Sequence, residues 1–446
     1  HRPPLPCPCG PLARAPRCPH GGGGMSMPGA HTANFATWGI CALATAGVIA
    51  RPFKLPEACW AVGGALLLMV LGLMPGGEAW QAVLKGLDVY LFLIGMMLLS
   101  ETARAEGLFD WVAMHAVNLA KGSTQRLFAL VFGVGIVVTA FLSNDATAVV
   151  LTPAVYAAAR KAGAKPLPLL FACALIANAA SFVLPISNPA NLVLYGGQMP
   201  TLGAWMAAFA LPSLLAIGVT FVMLRWAERK DLTGRCAARV DTVPLTRGGT
   251  FALVGILATA VLLVGVSALG LDLGLPTCLA GLATLGVVCL GGRQSPLPMA
   301  RAVSWSVLPL VAGLFVLVEA LSRTGVIGLL ARTLADAAAH SPQATAGIAG
   351  TLLAFGSNLM NNLPAGLIAS TTVAQAQPPQ LVVDALLIGV DLGPNLSITG
   401  SLATILWLTA IRREGEDVGF WRFLKVGALV MPPALLCALG ARLLLG

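Results

Sequence analysis

Along this chain, long apolar runs alternate with short polar connectors, the pattern of a protein that crosses a membrane many times. About 20 apolar residues suffice to cross a bilayer as a helix. The runs Asn34 to Ala50, Leu55 to Pro75, Gly86 to Thr102, Leu202 to Leu224, Thr250 to Gly270, Leu275 to Leu290, Trp305 to Leu321 and Phe423 to Leu445 read as such spans. Two more, Pro166 to Tyr195 and Leu381 to Ile411, are too long for one straight helix. Each is interrupted by prolines and polar side chains, at residues 185–191 in the first and 391–401 in the second. They are predicted to be broken helices, which brings the spans to ten. Gly107 to Ala120 and Val326 to Ala339 are amphipathic and are expected to lie along the interface.

Two stretches, Phe141 to Pro153 (FLSNDATAVVLTP) and Leu359 to Thr371 (LMNNLPAGLIAST), read as copies of one device. Each sets a polar cluster, Ser143-Asn144-Asp145 or Asn361-Asn362, between apolar segments expected to be short for independent spans. Such a cluster fits the tip of a re-entrant hairpin, because broken backbone survives at membrane depth only when buried in protein or lining a watery cavity. The hairpins are placed at residues 124–160 and 343–376. Lys121 and Arg126 precede the first, and Arg160, Lys161 and Lys165 follow it, so both its ends are expected on the cytoplasmic side. The second has no Lys or Arg at either edge and is expected to enter from outside.

Composition agrees. Hydrophobic residues make up 57% of 446 positions, charged residues 10%, and mean hydropathy is +0.85. The net charge of +9 does not call for nucleic acid, because the Lys and Arg sit in connectors, where the positive-inside rule accounts for them. The most basic connector, Arg225 to Arg247, reads as a cytoplasmic hinge between two halves. Residues 25–225 form the first half, 226–249 the linker and 250–446 the second. Glu101 and Glu319, Asn144 and Asn361, and Ile186 and Ile398 correspond at offsets of 218, 217 and 212. Five spans per half is an odd number, so the second half must insert upside down. The expected fold is therefore an all-α membrane protein of two inverted repeats, the architecture of many secondary transporters. Both termini are expected to be periplasmic. Residues 1–24, rich in Pro, Gly and Cys, are expected to be a disordered or added tail outside the fold, and their Cys and His match no zinc spacing.

Polar groups at four membrane-depth breaks are candidates for a transport site. Ser143, Asn144, Thr147, Ser187, Asn188, Asn361, Asn362 and Thr399 are expected to hydrogen-bond solute, and Asp145 and Asp391 to carry protons. Intramembrane carboxylates are costly and by default functional, and leaving water disfavours their charged form. No Lys or Arg lies at any break, which disfavours an anionic cargo and suits a cation or a neutral hydroxylated solute. Plainer roles stand beside these: Asp145 as a helix cap, Asp391 as an acceptor for freed amides, Asn191 and Asn395 as partners of broken backbone. Glu101 with Arg104 and Glu319 with Arg323 have the spacing of interfacial ion pairs. Of ten Cys, those at 41, 59, 173, 278, 289 and 437 are scattered singly and read as small buried hydrophobes, with no disulfide framework. HExxH, the Walker A lysine motif and GxSxG are all absent, so metalloprotease, ATPase and ordinary hydrolase chemistry lack their parts and no cofactor is expected.

The runs SNDATAVVLTP, PISNPANLV and MNNLP, and above all IGVDLGPNLSITGSLATILWL from Ile388 to Leu408, resemble the arsenite permease family of the ion transporter superfamily. The resemblance covers nearly everything after Thr32. It implies a multi-pass bacterial inner-membrane protein, set among membrane lipid, that exports arsenite or antimonite, both neutral trihydroxides near pH 7, in exchange for protons. It also implies an elevator-like movement of a hairpin-bearing domain, and in some members a soluble ATPase docked on the cytoplasmic face; a homodimer is among the assemblies it allows. The residues leave two alternatives open, a sodium/proton antiporter using the same carboxylates and a passive channel subunit of an ATP-driven pump.

Overall fold

The computed structural model describes residues 28–242 and 244–446, so the tail at 1–24 lies outside the described residues. Among those described, the chain is helical throughout, with a single isolated bridge between Ser123 and Arg235. In order, the helices are α1 (Pro28–Ala50), α2 (Glu57–Val70), α3 (Gly76–Lys85), α4 (Leu87–Ala105), α5 (Leu108–Ala120), α6 (Thr124–Leu142), α7 (Asn144–Ala146), α8 (Thr152–Lys161), α9 (Pro166–Ala179), α10 (Pro189–Tyr195) and α11 (Leu202–Ala227). There follow α12 (Arg247–Ala268), α13 (Gly274–Gly292), α14 (Leu297–Ala302), α15 (Val307–Arg323), α16 (Val326–His340), α17 (Pro342–Met360), α18 (Asn362–Ala376), α19 (Gln380–Leu392), α20 (Leu402–Arg413) and α21 (Phe420–Leu445).

Among the described residues six helices, α1, α6, α11, α12, α13 and α21, are individually long and apolar enough to cross a membrane. The bent pairs α3 with α4 (50°) and α15 with α16 (76°) pass the same test jointly. Helix α3 was not foreseen; the sequence pattern reads residues 76–85 as connector, but Glu78, Trp80 and Lys85 fall on a short amphipathic turn. The expectation of short hairpin arms is also corrected, because α6 and α17 both run for 19 residues.

The geometry of the hairpin base, not arm length, is what returns the chain at α6 to α8. The linker segment 234–240 lies across the base of this first hairpin. Cys236 N–H donates to the Gly122 carbonyl (3.1 Å) and Ala237 N–H to the Ala162 carbonyl (2.7 Å), so the two ends of the hairpin sit side by side. Thr124 Oγ1 donates to the Gly234 carbonyl (2.7 Å), and Asn118 exchanges two bonds with the Val240 backbone (3.1 and 2.8 Å). Nearby, Lys165 pairs with Asp231 (2.5 Å) and Thr246 with Glu106 (3.0 Å), so one end of the molecule collects the linker, the hairpin base and the C-terminal end of α4.

The helices pack as two bodies. In one, α4 lies on α13, α13 on α12, α15 on α2 and α2 on α1; in the other, α17 lies on α19, α11 on α21, and α6 on α9. Helices α5 and α16 touch both. Lipid is as apolar as leucine, so close packing rather than water exclusion holds membrane helices together. A methyl group at Gly95 would lie 2.2 Å from the Thr277 carbonyl oxygen, and one at Gly389 would lie 2.2 Å from that of Gly350. These glycines permit the tight α4–α13 and α17–α19 pairs. In the second body Phe171, Trp407 and Phe423 form one fully buried cluster, with the Trp407 indole donating to the Leu170 carbonyl (2.9 Å). Truncating such a residue costs about 3–5 kcal/mol.

Candidate transport site

At each hairpin tip the chain turns on one residue in a backbone region that is nearly reserved for glycine. Ser143 has φ 94° and ψ 160°, and Asn361 has φ 76° and ψ 153°. The second tip caps itself, since Asn361 Oδ1 accepts from Leu363 N–H (3.3 Å). The first has no side-chain cap, and its return arm opens through a π-helical turn, Thr147–Leu151. Asp145 therefore does not serve as the cap considered from sequence; its carboxylate is half-buried and faces open space.

The two helix breaks are held by amides. Between α9 and α10, Asn191 Nδ2 donates to the carbonyls of Ser181 (2.9 Å) and Pro185 (3.2 Å). Between α19 and α20, Asn395 Nδ2 donates to the Leu175 carbonyl (2.9 Å), and Asn178 Nδ2 donates to Asn395 Oδ1 (3.0 Å). These are the backbone-satisfying roles considered for Asn191 and Asn395. Asn178 and Asn395 are 217 positions apart and meet directly, whereas at the tips the residues of matching backbone are Ser143 and Asn361, 218 apart, so the pairing of Asn144 with Asn361 expected from sequence is one residue out of register.

Tips and breaks converge. A narrow inner cleft is lined by Asn144 and Asp145 from the first tip, Asn188 and Pro189 from the first break, Asn362 and Leu363 from the second tip, and Leu402 and Ala403 from the start of α20. A wider vestibule adjoins it, lined by Ser143, Asp145, Ser100, Glu101 and Ser304 among others. Asp145 borders both spaces. Asp391 stands one side chain behind the cleft: Asn188 Nδ2 donates to its Oδ1 (2.7 Å), while Oδ2, fully buried, has no partner among the described residues. The side-chain oxygens of Asn144 and Asn362 are likewise buried and unpartnered. No basic residue lines the cleft.

Other sequence candidates point elsewhere. Thr147 Oγ1 pairs with Thr139 Oγ1 (2.8 Å), Ser187 Oγ donates to the Ala140 carbonyl (3.2 Å), and Thr399 Oγ1 donates to the Asn358 carbonyl (2.9 Å). These three brace the breaks, and Asn361 caps its own helix. Asn358 was missed: it holds Ser397 through the backbone (3.0 Å) and hydroxyl (2.8 Å) and donates to the Gly393 carbonyl (3.0 Å). Its place one turn before the tip was the available signal. Glu101 is paired with Arg104 as expected, yet also lines the vestibule. Glu319 instead pairs with Lys85 (2.7 Å), because α3 brings that lysine over, and Arg323 pairs with Glu78. Of the six scattered cysteines, Cys173, Cys278 and Cys289 are buried, Cys41 is half-buried, and Cys59 and Cys437 are exposed, so the uniform buried reading is corrected. Among the described residues no three His, Cys, Asp or Glu side chains gather as a metal site.

Comparison with known proteins agrees with this architecture. A family model described as CitMHS, citrate transporter, matches residues 45–391. The arsenical pump membrane protein of Escherichia coli K12 is 27% identical over 413 residues, covering 88% of this chain and 95% of its own, and that of Yersinia enterocolitica is 28% identical over 398 residues, covering 84% and 91%. Among solved structures, the YdaH transporter of Alcanivorax borkumensis shares the fold with a TM-score of 0.56 at 16% identity, over 92% of this chain and 98% of its own.

Proposed function

Starting from the fact that the chain belongs to the CitMHS family and that its arsenical-pump relatives place it with the arsenite permeases, we propose that this membrane transporter exports arsenite or antimonite as neutral trihydroxides in exchange for protons. The observation that carries the proposal is the inner cleft, where the orphaned oxygens of Asn144 and Asn362 and the Asp145 carboxylate are gathered with no cation nearby. Three acceptors match a solute that donates three hydroxyl hydrogens. A citrate trianion would bring its negative charge against the Asp145 carboxylate and find no positive partner there. Burying a polar group without a partner costs roughly 2–7 kcal/mol, so unpaired acceptors favour a cargo that pairs them.

Coupling follows from chemistry at Asp145. Ionised, the carboxylate accepts a hydroxyl from the cargo; protonated, it becomes a donor and competes with it, so solute and proton replace one another. The vestibule adjoins the C-terminal end of α4 and the end of α14, the end of the molecule that carries Arg104, Arg301 and the basic linker. The positive-inside rule sets that end in the cytoplasm, and the site would load from there. On the same rule both termini fall outside and ten spans result, and the direct bond between Asn178 and Asn395, one from each half, supports inverted repeats meeting on an axis. The two packed bodies supply a hairpin-bearing part that can move against the other.

The test is uptake of radiolabelled arsenite or antimonite into everted vesicles, and by the purified chain in ATP-free liposomes, with and without an imposed proton gradient. Gradient-driven uptake is expected in both. Sodium-dependent proton movement without metalloid uptake would favour a sodium/proton antiporter, and uptake only with an added ATPase would favour a channel subunit.

A further inference from the structure

Helices α10 and α19 run antiparallel and are joined by two polar rungs. The inner rung is Asn188 Nδ2 to Asp391 Oδ1, 2.7 Å. The outer rung is Tyr195 hydroxyl to Asp384 Oδ1, also 2.7 Å. Asn188 and Tyr195 are seven positions apart, as are Asp384 and Asp391, so both rungs lie on one face of each helix. Gly366 of α18 packs between them, against Val193 and Val390. The outer rung is anchored from a third helix. Arg442 of α21 donates through Nε and Nη2 to Asp384 Oδ2 (2.8 Å each), and Gln380 donates to Asp384 Oδ1 (2.7 Å). Asp384 and Arg442 are both buried, whereas no cation answers Asp391.

We propose that Tyr195, Asp384 and Arg442 are positioning residues for the transport site: the outer rung sets the depth and register of the seven-residue half-helix α10 against α19, and so holds Asn188 on Asp391 and in the cleft. The half-helix is short and its N-terminal end is a break; it packs on α18, α4 and α19, and at its outer end the Tyr195 ring lies on Trp205 while its hydroxyl holds Asp384 and accepts from Gln380 (3.3 Å). Arg442 ties Asp384 to α21, so the outer rung is fixed to a third helix while the inner one faces the cleft. This inference rests on the reading of the cleft as the transport site.

Tyr195→Phe removes the rung and leaves the ring and the Asp384–Arg442 pair in place. Two measurements test it. By hydrogen exchange in detergent, backbone amides of α10 are expected to exchange at least about tenfold faster than in the unsubstituted protein while those of α11 are unchanged; in vesicles, KM for antimonite is expected to rise severalfold with kcat within about twofold. The paired neutral variant Asp384→Asn with Arg442→Gln, which keeps a hydrogen-bonded anchor, is expected to lie closer to the unsubstituted protein than Arg442→Gln alone. Unchanged exchange in α10, or faster exchange with unchanged KM, would overturn the assignment. Failure of the unsubstituted protein to carry antimonite would instead count against the cargo, and the exchange comparison would still decide whether the outer rung holds α10.

Discussion

The two hairpin tips share a backbone and differ in chemistry. Ser143 and Asn361 turn the chain through the same unusual conformation, but the first tip continues into Asn144-Asp145 and a π turn, the second into Asn362-Leu363-Pro364 and a self-cap. A helix packs on both arms of each, α5 on the first and α16 on the second, and the first also has the linker across its base. The turn is thus a device for delivering a polar side chain to the cleft, and which group is delivered is decided one residue later. Only the first tip delivers an acid. The complementary acid, Asp391, comes from the second half but from its broken helix, behind Asn188.

The sharpest way to break the contrast is Asp145→Asn, which gives the first tip the amide pair of the second. Proton-driven efflux in everted vesicles should fall by roughly a hundredfold, the scale of losing a proton-transferring group; activity near that of the unsubstituted protein would remove Asp145 from the coupling step. Asn188→Ala strips Asp391 of its side-chain donor. Leaving a buried acceptor without its donor costs about 1–3 kcal/mol, and a loss of that size is expected in detergent unfolding, together with weaker cargo binding. Glycine at each tip tests whether the backbone is equally strained. Ser143→Gly should stabilise by about 1–2 kcal/mol, and Asn361→Gly by less, because it also gives up the cap on Leu363. Smallest is Thr124→Val, which removes a single strap bond from the first base; about 1 kcal/mol or less of stability and a transport rate within roughly twofold are expected.

Much of this site could be read before coordinates because polar residues in apolar surroundings have few permitted places. Asn144, Asp145, Asn188 and Asn362 stood out for that reason and do meet. What local sequence does not encode is which way a polar group faces. Thr147, Ser187 and Thr399 are as polar and as central, yet each hydroxyl is taken up by a hairpin arm, at Thr139, Ala140 and Asn358. The Tyr195, Asp384 and Arg442 cluster was invisible for a different reason. Its members come from three helices, and Arg442 near the end of α21 reads as an ordinary terminal charge until the fold sets it on Asp384. Likewise Lys85 reaches Glu319 only through the bend between α3 and α4.

The strap at residues 234–240 also bears on how the protein is made. Both feet of the first hairpin are tied by a segment that leaves the ribosome some seventy residues after the hairpin's return arm. Until then the arms have each other, α5 and α9 to hold them, and the base stays unstrapped. Closure of the hairpin's base is therefore completed by the connector, later in synthesis than the hairpin itself.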